Sequence, residues 1–352
     1  MAGVVRVGVV GTGIGAALVA ALQRVPGAAV TIVCSAQRAR ADAVAARFAI
    51  PHATDDYRDV LAAGLDAVVI ATPPALHAPM VLDAVAAGLH VFCEKPLAAT
   101  VAEARAMRDA AHGAGVVHAL GHQSRFAAPF ARAGALLGKG YLGRLVTADC
   151  QLYLNPIDYL RAPVASDSKA GWYTDASQSG GLLAAAAGPH QVDLLRWYGG
   201  PIAAVAAQVA VSRPAVELAD GTTRGGITAE DAFLVLARFA SGALATMRGL
   251  PIAHHAFGMA LDLHGTEGTL RASFEGLRGA TVADRALADL PLPDAGSDRV
   301  ALLTGFIEAI HDGDPARAAA LPNFDDGVAT QAVLEACAEA ARTGTWITID
   351  EE

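Results

Sequence analysis

The stretch Val4-Val5-Arg6-Val7-Gly8-Val9-Val10-Gly11-Thr12-Gly13-Ile14-Gly15-Ala16 decides the fold. A short apolar run stops at a glycine, and a helical pattern follows from Gly15 to Arg24. Gly11 to Ala16 therefore reads G-x-G-x-x-G/A between a strand and a helix, the context that gives this motif meaning. Gly11 permits the tight turn, Gly13 lets the main chain approach a pyrophosphate, and Ala16 allows close helix packing, with the helix N-terminus facing the anion. Thr12 and Ile14 complete that set. The alternative is the same tight turn without a ligand.

Outward from this point, apolar runs and helical patterns alternate up to Gly121, which is the rhythm of a parallel sheet. Strands are predicted at Val4–Val10, Ala29–Cys34, Asp66–Ala71, His90–Cys93 and Val116–Leu120. Helices are predicted at Gly15–Arg24, Arg38–Phe48, Leu76–Ala87 and Val101–His112, with Thr100 and Glu103 forming a capping box for the last. This is a Rossmann-type, doubly wound domain, placed at residues 1–122.

After Gly121 strand follows strand: Arg144–Leu154, Ile202–Val211, Asp231–Phe239, Ala243–Leu250, Gly258–His264 and Gly268–Ala272. Residues 123–352 are accordingly expected to form a C-terminal α/β domain on a large, mostly antiparallel sheet. Helices near Pro189–Tyr198, Thr304–His311 and Asp326–Arg342 would cover one of its faces. Ala240-Ser241-Gly242 and Gly265-Thr266-Glu267-Gly268 read as hairpin turns, with glycine where a positive φ is needed. The long polar segments Ile157–Ser179 and Ala215–Thr228 read as functional or mobile loops.

Composition narrows the function. The 352 residues are 53% hydrophobic but only 5% aromatic, so the surplus is Ala, Val and Leu, which build buried parallel strands and tight helices. A formal net charge of -9 provides no basic footprint and argues against a nucleic-acid partner. The four cysteines lie far apart without metal-ligand spacing, so neither a metal site nor a disulfide is expected. No stretch nears ~18 consecutive apolar residues and no basic segment leads the chain. The expectation is a cytoplasmic protein with no membrane partner.

A dinucleotide also needs a group for its adenosine ribose at the end of the second strand, where a carboxylate would select NAD. Here the chain reads Cys34-Ser35-Ala36-Gln37-Arg38. A hydroxyl on Ser35 and the guanidinium of Arg38 suit a 2′-phosphate, so NADP is favoured over NAD. Arg38 could instead be a solvated first-turn residue.

Further on come Ala71-Thr72-Pro73-Pro74-Ala75-Leu76-His77, then Ala87-Gly88-Leu89-His90-Val91-Phe92-Cys93-Glu94-Lys95-Pro96, then Gly180-Gly181 through Gly188-Pro189-His190-Gln191-Val192-Asp193. With the first turn, these motifs resemble the Gfo/Idh/MocA family of nicotinamide-dependent oxidoreductases over nearly the whole chain. The resemblance implies hydride transfer between NAD(P) and a secondary alcohol or ketone of a sugar, polyol or related cyclic compound. A cis-dihydrodiol, or a dinucleotide-binding sensor without turnover, are the alternatives.

By the same resemblance Lys95 acts at the oxygen of the reacting carbon and His190 faces the substrate, as proton relay or binding group. A buried structural role is the alternative for His190. Thr72, Pro73, His77 and Glu94 fall on the nicotinamide side, and Arg125, Trp172 and Asp193 among the substrate residues. Arg125 could hold an anionic group or pair across a domain interface. Independently of the family, removing an alcohol proton needs a base, and a desolvated lysine can approach neutrality. Ala186 stands where the family has Asp or Asn, so any polar contact made there is missing. A homodimer or homotetramer is implied.

Overall fold

The computed structural model describes residues 3–154, 175–176, 181–217, 223–250, 258–293 and 296–350. Strands β1 (Val5–Val10), β2 (Ala28–Cys34), β3 (His52–Thr54), β4 (Ala67–Ile70), β5 (His90–Cys93) and β6 (His118–Leu120) form a six-stranded sheet in the order β3-β2-β1-β4-β5-β6. Every neighbouring pair is parallel. Helices α1 (Gly15–Leu22), α2 (Arg38–Phe48), α3 (Tyr57–Ala62), α4 (His77–Ala86) and α5 (Val101–Ala114) connect them.

Apolar residues run without a break along β4, and along β1 after the exposed Arg6, because both faces are covered. Alternate residues of β4 divide between two cores: Ala67 and Val69 pack with Leu18, Leu22 and Phe92, whereas Val68 and Ile70 pack with Val60, Val81 and Met107. The expected capping box forms, with Thr100 accepting from the Glu103 N–H and Glu103 accepting in return. Strand β3 and helix α3 were not expected, since His52-Ala53-Thr54 is too short and polar to show a strand period. The strand order reverses between β1 and β4, where sheets of this kind open a crevice at the carboxyl ends.

In the second sheet the strands are β7 (Leu145–Tyr153), β8 (Ile202–Ala210), β11 (Ala232–Phe239), β12 (Leu244–Leu250), β13 (Gly258–Gly265), β14 (Gly268–Ser273), β15 (Gly276–Thr281), β16 (Ala288–Asp289) and β17 (Ile347–Thr348). Strands β9 (Ala215–Glu217) and β10 (Thr223–Gly225) form a separate ribbon. The nine strands lie in the order β16-β15-β14-β13-β7-β12-β11-β8-β17, antiparallel throughout except for β7 beside β12. Helices α6 (Ala128–Leu137) and α7 (Gly188–Gly199) carry Phe130, Ala133, Val192, Leu194 and Leu195 into the core of this unit.

The turn at Ala240-Ser241-Gly242 joins β11 to β12 with Gly242 at φ +85°, as expected. The turn from Gly265 to Gly268 differs, because neither glycine has positive φ. A Cβ would lie 2.1 Å from the Leu142 carbonyl oxygen at Gly265 and 2.7 Å from that of Tyr141 at Gly268. Close approach of main chain, not turn conformation, demands these glycines.

The chain divides into two compact units, residues 1–126 with 296–331 and residues 127–295 with 332–352. The sequence reading assigns 296–331 to the second domain, with Thr304–His311 on the antiparallel sheet. Instead α8 (Asp298–Asp312) sends Leu302, Leu303, Phe306 and Ile307 into the first unit, where the Phe306 ring meets Phe92 edge-on at 6.0 Å. An amphipathic pattern shows that a helix has an apolar face, not which sheet receives it.

After α9 (Pro315–Ala319), the start of α10 (Phe324–Thr343) is held to β6. Leu120 donates its N–H to the Pro322 carbonyl at 2.8 Å, and Phe324 donates to His118 Nδ1 at 3.2 Å. Val117 likewise donates to His90 Nδ1 at 2.9 Å. A ring nitrogen that accepts must be unprotonated, and burial lowers the pKa of both rings, that of His118 to about 4.

The unfolded chain takes up these protons near pH 6.5, before the folded protein does, so stability is expected to fall as pH drops from 6.5 toward 4. For His118 the expected loss is on the order of 2–3 kcal/mol. His118→Asn, which accepts the same bond without titrating, is expected to flatten that limb in denaturant unfolding measured across pH. Superimposable curves for the two proteins would contradict this role.

Candidate functional site

The first turn is built on contact between main chains. Gly11 sits at φ +103°, donates its N–H to the Cys34 carbonyl at 2.8 Å, and would place a Cβ 2.3 Å from the Ala71 oxygen. Only glycine fits there. Gly13 has open space where its Cβ would be, with no atom within 4 Å, which suits a pyrophosphate resting on the main chain. Ile14 caps α1 without a side-chain bond and stands 40% exposed. Close helix packing falls to Gly15, whose Cβ would lie 3.3 Å from Val9, rather than to Ala16.

Thr12 and Ser35 are brought together, the Thr12 hydroxyl donating to Ser35 Oγ at 3.1 Å. Arg38 is exposed and pairs with Asp42 at 2.9 Å, one helical turn on. The surroundings are more acidic than the strand end alone suggests: burial, then Asp56, Asp55 and Asp59, push the Cys34 thiol up to about 11.

Beside the first turn, Ala71 continues into Thr72, Pro73 and a short 3-10 turn at Pro74–Leu76 that leads into His77. His77 is fully buried. Its Nε2 lies 2.8 Å from the Thr72 carbonyl oxygen, and its Nδ1 lies 3.0 Å and 3.2 Å from those of Pro96 and Leu97. Burial lowers the pKa of this ring, while the three carbonyls pull it the other way. His77 thus ties the loop after β4 to the loop after β5 through main-chain atoms.

The second of those loops carries Glu94, buried, and Lys95, half-buried, with a cis peptide before Pro96. Glu94 accepts the Lys95 N–H at 3.2 Å, and burial raises its pKa against the opposing Lys95 charge. Behind it lies His122, lowered to about 3 by burial, with Arg125 and Lys95 acting in the same direction. Arg125 pairs with Asp326 at 2.9 Å inside the first unit, so its ion pair does not bridge domains. His122 and Asp326 entered the sequence reading only within the segments Gly121–Phe126 and Asp326-Gly327, without a role of their own.

In the second unit, Leu182–Ala186 form a π-helical turn that includes Ala186, and α7 begins at Gly188. A Cβ on Gly188 would lie 1.9 Å from the Leu183 oxygen, so the turn and the helix meet main chain to main chain. Pro189 occupies the first turn, where its missing N–H costs nothing. His190 is half-buried and Asp193 is buried. Gln191, which the sequence reading did not single out, donates from Nε2 to the Cys150 and Arg248 carbonyls, both at 3.0 Å, and so fixes α7 on β7 and β12. Trp172, with Tyr159, Arg161, Lys169 and Tyr173, lies outside the described residues. Among the described residues no three His, Cys, Asp or Glu side chains are grouped to hold a metal, and no helix is long and apolar enough to cross a membrane.

Comparison with known proteins agrees with this fold. Residues 5–122 match the "Oxidoreductase family, NAD-binding Rossmann fold", and residues 130–271 match the "GFO/IDH/MocA C-terminal domain". The chain is 27% identical to levoglucosan dehydrogenase of Pseudarthrobacter phenanthrenivorans, over 91% of this chain and 89% of that protein. It is 29% identical to inositol 2-dehydrogenase 1 of Saccharopolyspora erythraea, over 98% and 96%. A solved levoglucosan dehydrogenase in complex with NADH and levoglucosan superposes with a TM-score of 0.86 at 25% identity, over 99% of this chain and all of that one.

His77→Leu removes the ring N–H that faces the carbonyls of Thr72, Pro96 and Leu97, and a buried group left unpaired costs roughly 1–3 kcal/mol. The variant is expected to unfold at lower denaturant, by at least about 2 kcal/mol overall. An unchanged midpoint would show that the two loops hold together without the ring.

Proposed function

The chain belongs to the Gfo/Idh/MocA family of NAD(P)-binding oxidoreductases, and from that premise we propose that it oxidises a secondary alcohol of a cyclic polyol or sugar, or reduces the matching ketone. The observation that carries the proposal is the placement of Lys95. It follows β5, beside the β1/β4 crevice, among Glu94, His77 and His122. The nicotinamide, when bound, supplies the hydride acceptor or donor. Lys95 takes the hydroxyl proton as hydride leaves carbon and returns it in the reverse direction. His190, from the start of α7, binds and orients the hydroxyls.

Gly11, Thr12, Gly13 and Ile14 hold the pyrophosphate, Ser35 and Arg38 the adenosine ribose, and Thr72, Pro73 and Glu94 the nicotinamide side, with His77 fixing Thr72 from behind. The substrate class is supported by relatives whose names specify levoglucosan and inositol, both cyclic and rich in hydroxyls. For the cofactor, the lack of a carboxylate at Ser35 supports NADP over NAD. Because Arg38 already pairs with Asp42, the preference is shallow, below roughly tenfold, as exposed ion pairs are weak.

Self-association through the open face of the nine-stranded sheet completes the proposal. Leu234 and Leu236 on β11 and Leu244 on β12 are 63%, 54% and 53% exposed, an unusual set for a free surface. Light scattering is expected to give a dimer or tetramer, and a monomer at micromolar concentration would contradict it.

The enzymatic reading is tested with a panel of inositols, anhydrosugars, aldoses and cis-dihydrodiols, run with NAD+ and NADP+ and followed at 340 nm. Turnover is expected on a cyclic polyol or sugar, slightly better with NADP+. Lys95→Met is expected to lower kcat at least a hundredfold, the usual scale for loss of a general base. Unchanged kcat in that variant would remove Lys95 from the chemistry, and tighter use of NAD+ would reverse the cofactor preference.

A further inference from the structure

The turn that contains Ala186 is held from elsewhere in the second unit. Glu230 lies at the entrance to β11, mostly removed from solvent. Its Oε1 accepts the Leu183 N–H at 2.8 Å, and its main-chain oxygen accepts the Leu182 N–H at 3.0 Å. Gly181 stands at φ +94°, and a Cβ there would lie 1.2 Å from Glu230 Oε2, so the carboxylate occupies the place a side chain would take. The glycine before the π-helical turn is thus explained by a residue nearly fifty positions away. From Leu183 the connection continues: its carbonyl rests on the Cα side of Gly188, and Pro189 and His190 follow directly.

We propose that Glu230 is the positioning residue for His190, holding the Gly181–Ala187 turn in one conformation. This rests on the reading of His190 as the substrate-orienting group. A short acid fixed by two adjacent main-chain bonds locks a turn that contains no polar side chain of its own: Leu182-Leu183-Ala184-Ala185-Ala186 has none to offer.

The groups acting on Glu230 are few. Burial raises its pKa to about 7, Asp231 adds to the rise, and the N–H groups of Leu183 and Ala184 oppose it. Asp231 in turn is engaged by Ser212 and by Arg213 at 3.7 Å. The folded protein therefore keeps the Glu230 proton to higher pH than the unfolded chain, and this group's contribution to stability falls as pH rises from about 4.5 to about 7.

Two variants of the full-length protein test the proposal. Glu230→Ala removes the acceptor, whereas Glu230→Gln keeps an amide oxygen for Leu183 without titrating. In protein labelled at histidine, with the His190 signal assigned by its loss in His190→Asn, the His190 ring resonance is expected to move in Glu230→Ala and to return toward its wild-type position in Glu230→Gln. On myo-inositol, levoglucosan or whichever panel sugar the wild type oxidises, Glu230→Ala is expected to lower kcat tenfold to a hundredfold, the scale of a displaced catalytic group, with NADH affinity unchanged. Glu230→Gln is expected to recover most of that loss and to remove the falling contribution of Glu230, so that its melting temperature rises relative to that of the wild type between pH 4.5 and 7. A His190 resonance indifferent to Glu230→Ala overturns the proposal, as does a wild-type pH dependence of melting in Glu230→Gln. Should Glu230→Ala fail to fold, Glu230→Asp, whose shorter side chain falls back from the Leu183 N–H, takes its place in both the resonance and the kcat measurement. Normal kcat in His190→Asn would instead sink the underlying reading of His190, which separates the two failures.

Discussion

Contact between the end of β1 and the end of β4 is the constraint on which the first unit depends. Ala71 donates its N–H to the Val10 carbonyl at 2.8 Å, and one residue on, the Gly11 Cα lies against the Ala71 oxygen with no room for a side chain. That approach sets two turns side by side, Gly11 to Gly13 and Thr72 to Pro73. From Thr72 the arrangement passes through the His77 ring to the carbonyls of Pro96 and Leu97, and so to the loop that presents Lys95. The position of that loop is thus tied to the first turn through one buried ring and main-chain carbonyls rather than through flexible, exposed side-chain pairs.

The second unit solves a similar problem with different parts. It has no glycine-rich fingerprint to bind an anion, but main chain again meets main chain, at Gly188 against Leu183, and buried polar side chains hold the joint. Gln191 spans two strands of the sheet, and Glu230 reaches the turn from the segment just before β11. Both are largely removed from water, which makes their loss more costly than that of an equivalent surface pair. The apolar composition of the Leu182–Ala186 turn is therefore compatible with a defined shape, because its main-chain donors are met from outside.

Much of the fold was legible because buried parallel strands and half-buried antiparallel strands leave different apolar periods. The first turn and the Glu94-Lys95-Pro96 segment were legible because each sets defined residue types at fixed spacing at the end of a strand. What stayed hidden has physical causes. His52-Ala53-Thr54 is a strand only because β2 offers it a parallel edge. Helix α8 carries an apolar face without an address, so its return to the first unit could not be read. Glu230 sits beside Asp231 in a polar stretch and looks like a solvated acid, since buried glutamates are rare and their burial depends on partners distant in sequence. Asp42, Asp55, Asp56 and Asp59 similarly change the electrostatics around Ser35 and Arg38 by position in space, which moderates a cofactor preference inferred from the strand end alone.

The central claim is that the close approach at Gly11 creates the dinucleotide site. Titration of NADH and NADPH into the wild-type protein and into Gly11→Ala, followed by cofactor fluorescence, tests it most directly. The account predicts saturable binding by the wild type and loss of at least a hundredfold in affinity for the variant, since its Cβ would have to displace the Ala71 main chain. Wild-type affinity in a Gly11→Ala protein that retains its circular dichroism spectrum, or no binding of either cofactor by the wild type, would contradict it.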